Sequence, residues 1–165
     1  MIPTVAQQIG AVRTTIAKTV LPALDPNDSF AAEQAGLVLA CLDWVLDVHQ
    51  FEYPYERAEH TENRNTLSAL ADMDPQIADQ VQELLIETAS SPSDLVHMRE
   101  QVRRLKEAVA RSYQVLAAAG SPLTAAARRT LADAAARQVA RELAWCRMTG
   151  FPRGEVPNIS EVVAT

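Results

Sequence analysis

Apolar side chains recur at alternating three- and four-residue steps over residues 93–119, where Leu95, Met98, Val102, Leu105, Val109 and Leu116 fall in one row. On an α-helix that spacing gathers them on one face, which must be covered by other helices. Four further helix-length segments carry such a row, each bounded by Pro, Gly, Asp or Ser. The pattern predicts an all-α fold, an antiparallel up-and-down helical bundle of four long helices plus shorter helices. The 165 residues fit a single domain with 151–165 as an extended tail. A chain of that length buries roughly 70% of its unfolded surface without staples.

The punctuation sets the expected helix limits. A first helix runs from Thr4 to about Leu21 on Val5, Ile9, Val12, Ile16 and Val20, until Pro22 ends or bends it. Asp28 or Ser29 caps the second, which extends from Phe30 to about Phe51 and is the driest in the chain. Its run Leu37-Val38-Leu39-Ala40-Cys41-Leu42 leaves hardly any wet side, which places it at a bundle centre or between protomers. Residues 52–65 carry six charged groups and few aliphatics, so they read as a polar helix on the outside. A short helix follows from Pro75 to Thr88, with Ile77, Val81, Leu84 and Leu85 inward. Ser91-Pro92-Ser93-Asp94 reads as a start signal and Gly120 as the matching C-cap. Ser121-Pro122 opens a last helix, striped by Leu123, Ala127, Leu131, Ala135, Val139, Leu143 and Cys146.

Net charge is −6, but the first 92 residues carry −10 and the remainder +4. Opposed halves favour helix pairing and self-association, and a homodimer is the expected state. The basic half is diluted by its own carboxylates and lacks a nucleic-acid reader motif, which argues against nucleic acid as a partner. No basic leader with an apolar core is visible, and the apolar stretch 35–48 is broken by Asp43 and Asp47. No membrane association is expected, and a cytoplasmic location is. Cys41 and Cys146 sit among apolar neighbours and read as buried thiols in a reducing compartment.

Motifs that name a reaction are missing. There is no Gly-x-Ser-x-Gly elbow, P-loop or CxxC, and only five glycines are available to shape a phosphate cradle. Nothing implies a cofactor. Two constellations remain as candidate sites. His49, Glu52, Glu56 and His60 share the i,i+3 and i,i+4 spacings with which helical bundles build metal–carboxylate centres, although the His-x-x-Glu order is reversed. A second such pair is His97 and Glu100. Trp44, Asp43, Asp47, Phe51 and Tyr55 make the candidate ligand pocket. Asp43 and Asp47 lie one turn apart on the driest helix, so each needs water, a cation or an arginine, and Arg137, Arg141 and Arg104 are available.

The run Thr19-Val20-Leu21-Pro22-Ala23-Leu24, with Phe30, Ala35 and Val38-Leu39-Ala40, resembles the opening of a group of small bacterial helical proteins. Members of that group are encoded beside phosphotransferase-like kinases or acyl-CoA dehydrogenases and have no established activity. The likeness covers about the first quarter of the chain and transfers no site residues. It implies a bacterial cytoplasmic accessory protein. The expected function is a non-enzymatic interaction protein working through helical faces. A small-molecule or acyl-ligand binding bundle is the alternative, and a metal–carboxylate bundle ranks behind it.

Overall fold

The computed structural model describes residues 2–118 and 123–164. Among these the chain is all-α, 81% helical and without strands. By its internal contacts the chain groups into two compact units. One is Met1–Gln50 with Leu143–Asn158, the other Phe51–Glu142 with Ile159–Thr165.

The first unit holds a helical hairpin. Helix α1 (Val5–Thr15) opens with a capping box in which the Thr4 hydroxyl accepts from the Gln7 amide at 3.2 Å and the Gln7 side chain accepts from the Thr4 amide at 2.9 Å. It widens into a π turn over Ile16–Val20 and tightens to a 3-10 turn over Leu21–Ala23, where Pro22 has no amide to donate. Helix α2 (Ser29–Val48) is capped by Asp28, whose carboxylate accepts from the Ala31 amide at 2.9 Å. Chain segment 143–158 returns to this unit, and its 3-10 turn Arg147–Thr149 packs on α2. That turn closes at Gly150, whose φ of 75° is left-handed.

The second unit is built on α3 (Glu52–Ala71), α4 (Pro75–Glu87) and α5 (Leu95–Ala118), with most of α6 (Thr124–Trp145) and the short α7 (Ile159–Val163). Pro54 falls in the first turn of α3, where its missing amide costs nothing. Leu67, Leu70, Ile77, Val81, Leu105, Val109, Leu116 and Ala127 form the core. From Met98 onward the α5 row is buried as its spacing predicts, with Ser112 continuing it and Leu95 half-buried at its start. The cap of α5 is Asp94 rather than Ser91, its carboxylate accepting from the His97 amide at 3.0 Å. The tail is extended only to Asn158. From there Ile159 and Val163 bury themselves on α7, which packs on α3.

Three expectations are corrected here. Helix α3, expected on the outside because of its charges, is central to its unit, with Glu59, His60, Thr66, Leu67, Leu70 and Ala71 all buried. Helix α2, expected at a bundle centre or between protomers, buries only Val48 within the described chain, which leaves it outside any bundle centre of a single copy. The α6 row was phased on repeated four-residue steps, which drift about 40° around a helix each time. Ala135 and Val139 therefore come out exposed, and the covered row is Ala127, Leu131, Ala134, Gln138 and Arg141. The caps expected at Gly120 and Ser121-Pro122 lie outside the described residues.

Candidate interaction surface and polar centre

On α1 the half-buried residues are Ala6, Ile9, Gly10 and Arg13, continued by Ile16 and Ala17 in the π turn, and this side meets α2. Arg13 grips Asp43 through two hydrogen bonds, Nε to Oδ1 and Nη2 to Oδ2, the latter at 2.9 Å. That hydrogen-bonded contact holds the Asp43 carboxyl below its usual range and raises Arg13. The second carboxylate of α2, Asp47, takes Arg147, whose Nε donates to Oδ2 at 2.8 Å and whose Nη2 contacts Oδ1. Between them the Trp44 indole donates to the Trp145 carbonyl at 2.9 Å. The need for cations beside Asp43 and Asp47 is therefore met within the first unit. Arg137, Arg141 and Arg104 instead hold Glu62, Glu59 and Glu87.

The outward side of this hairpin is apolar. On α2, Phe30, Leu37 and Cys41 recur at seven- and four-residue steps and so share one face. Phe30 is 69% exposed, Leu37 58% and neighbouring Val38 46%. On α1, Val5 and Val12 are likewise out in solvent, as is Val20 beyond it. Cys41, expected to be buried, is exposed on this face, and Cys146 is half-buried. Gly36 meets no atom that a methyl group would touch, so no close helix crossing within the described chain accounts for it. The helical run Ser29–Ala71 is long and apolar enough to cross a membrane by length and composition, and its most apolar window has no buried residue.

The second unit keeps its charge inside. Glu59 is 1% exposed, and its Oε1 accepts from Arg141 Nε at 2.9 Å and Nη2 at 2.6 Å. Lys106 Nζ comes within 2.7 Å of Oε2, an ionic contact off the hydrogen-bonding direction. One residue on, buried His60 meets the Gln101 amide oxygen through Nε2 at 2.9 Å. Burial holds the His60 imidazole below its usual basicity, and the nearby Arg64 charge adds to the effect. Burial raises the Tyr55 phenol, as do the carboxylates of Glu59, Glu142 and Glu56.

Most of the candidate site residues are engaged by partners outside their proposed sets. Of the candidate metal ligands, His49 contacts the Leu46 carbonyl through Nδ1, Glu52 and Glu56 both hold Arg99, and His60 is taken by Gln101. His97 turns to Asp94 and Glu100 to Arg103. Among the described residues no group of three or more metal-ligating side chains comes together. Of the candidate pocket, Asp43, Trp44 and Asp47 are occupied in the first unit, while Phe51 and Tyr55 belong to the second. Grooves of about 670, 600, 470 and 460 Å³ lie in the second unit and are lined by none of those five residues.

Comparison of the chain with protein-family models, curated proteins and solved structures finds no match. Two features escaped the sequence reading. The Glu59–Arg141–Lys106 centre hid because Arg141 sits on the covered row of α6, a place where apolar spacing does not look for charge. Half-buried Arg64 on α3 was passed over as one of many surface charges.

Proposed function

We propose that this is a non-enzymatic accessory protein that works by helical association, and that its first unit pairs with the same unit of a second copy. The observation that carries the reading is the exposed Phe30–Leu37–Val38–Cys41 face on the driest helix in the chain. A two-helix hairpin is half of a four-helix bundle, and a second hairpin supplies the missing half with the same apolar length. In this reading the antiparallel up-and-down bundle expected from sequence is completed between copies. Full burial of a Val, Leu or Phe side chain is worth roughly 1.5–3 kcal/mol, so six half-exposed ones on each copy are worth on the order of 12 kcal/mol gross for the pair. That is comparable with the ~4–15 kcal/mol lost in freezing two bodies together. A bilayer fits this surface less well. Arg13, Lys18, Glu33 and Asp43 lie on the hairpin, and a charge at membrane depth costs about 2.5–3.5 kcal/mol even on permissive scales. The unpaired thiols Cys41 and Cys146 support a cytoplasmic, reducing setting.

Sedimentation equilibrium tests the pairing. The expected species at tens of micromolar has twice the 18.0 kDa chain mass, with Cys41 reacting slowly with a thiol reagent. Leu37→Asp is expected to give the single-chain mass and a fast thiol. A wild-type protein that stays at 18.0 kDa with Cys41 freely reactive overturns the reading. So does one that partitions onto phosphatidylcholine vesicles without pairing.

A further inference from the structure

Five arginines in the described chain are at least partly buried: Arg13, Arg64, Arg104, Arg141 and Arg147. Four of them are held by a carboxylate, respectively Asp43, Glu87, Glu59 and Asp47. Arg64 is the exception. No carboxylate lies within ion-pair distance of it among the described residues, and its Nε is buried without a hydrogen-bond partner. A buried N–H left unbonded destabilises the folded chain, and more so when it belongs to a charged group. An uncompensated guanidinium in a partly dry place is a site short of one anion.

Arg64 also lines the 600 Å³ groove between α3 and α4. That volume lies within the roughly 300–1,000 Å³ range of small-ligand sites. The groove combines three chemistries. Among the described residues Arg64 on α3 is the only cation lining it. Ala71, Ala78, Leu85 and Ile86 provide an apolar wall, and Asp72 and Asp79 line it as well. The guanidinium fork matches a carboxylate bidentately. The apolar wall gives a short aliphatic tail somewhere to lie. The two aspartates repel any anion and a dianion about twice as strongly as a monoanion, which disfavours phosphate dianions most.

From this geometry we infer that the α3–α4 groove binds a small monoanionic amphiphile, a carboxylate with a short apolar tail, with Arg64 turning to present Nε and Nη2 to the carboxylate. The site is independent of pairing through the first unit. The ligand supplies the missing counter-charge, gives Nε its acceptor and covers Leu85 and Ile86. It also neutralises the charge that presses on His60, one turn before Arg64, so occupancy is reported by a group that does not touch the ligand.

The test uses the whole chain with sodium hexanoate as probe, against sodium chloride and sodium phosphate at equal ionic strength. Hexanoate is expected to bind saturably and raise the thermal midpoint, with phosphate at least tenfold weaker. The His60 imidazole, followed by proton NMR, is expected to titrate at a higher pH when hexanoate is bound. Arg64→Gln is expected to lower hexanoate affinity at least tenfold. The same variant is expected to keep or raise the midpoint of the ligand-free protein, because it removes a charge with no partner. A merely structural Arg64 gives the reverse, a lower ligand-free midpoint. Asp79→Asn is expected to bring phosphate closer to hexanoate. Hexanoate acting no better than chloride, unchanged hexanoate affinity in Arg64→Gln, or a His60 titration indifferent to hexanoate each overturns the assignment.

Discussion

Replacing Glu59 by alanine removes the carboxylate at the polar centre of the second unit and leaves Arg141, whose side chain is only 6% exposed, charged and unpaired. Lys106, 42% exposed, can swing its ammonium to water, so the penalty falls on the arginine. Breaking one side of a buried pair in this way costs about 3–5 kcal/mol. With a urea dependence of roughly 1–3 kcal/mol per molar, the unfolding midpoint is expected to fall by about 2 M. The double replacement Glu59→Leu with Arg141→Met takes out both charges and fills their volume with apolar atoms, and it is expected to recover most of the loss. Far-UV circular dichroism is the suitable probe. Both tryptophans, Trp44 and Trp145, lie in the first unit, so their fluorescence does not report this centre directly. A single variant that loses less than about 1 kcal/mol, within the range of exposed pairs, shows a solvated centre and refutes the reasoning. A double variant whose loss equals the sum of the two singles refutes it equally.

Two further outcomes are expected. His60 is held below its ordinary value of 6.5 by burial, so the unfolded chain binds its proton more readily. Its contribution is present above pH 6.5 and is lost as pH falls from there through the lower folded value, so the wild type is expected to lose stability across that window and His60→Gln to lose less. Stability flat from pH 7.5 to 5.5 in both proteins contradicts this. Gly36→Ala adds a methyl group that meets nothing within 4 Å, and is expected to stabilise α2 by about 1 kcal/mol, read as a higher thermal midpoint. A lower midpoint points to a neighbour packed on Gly36.

What the sequence made legible follows from what spacing can encode. The α4 and α5 rows were readable because a helix that packs on others in its own unit repeats its apolar residues at three and four. Helix α3 differs from its expectation because a third of its buried residues are Glu59 and His60, whose cover comes from Arg141 and Gln101, long-range partners with no local signature. Helix α2 is the opposite case. Its apolar composition records that cover is wanted, at a bundle centre or between protomers, and not which chain brings it. For Asp43 and Asp47 the kind of partner was readable, since an acid on a dry helix needs a cation. The identities were not, because Arg13 and Arg147 lie 30 and 100 residues away.

The chain passes from one unit to the other after Gln50, returns after Glu142 and leaves again after Asn158. No single cut can therefore release either unit intact. Cleavage at the first junction frees a hairpin stripped of the Arg147 that neutralises Asp47, and cleavage at the second strands α7 away from the helix it rests on. Anyone dissecting this protein gene-wise would need to re-join 1–50 directly to 143–158, or 51–142 to 159–165, to obtain a piece that keeps its own contacts.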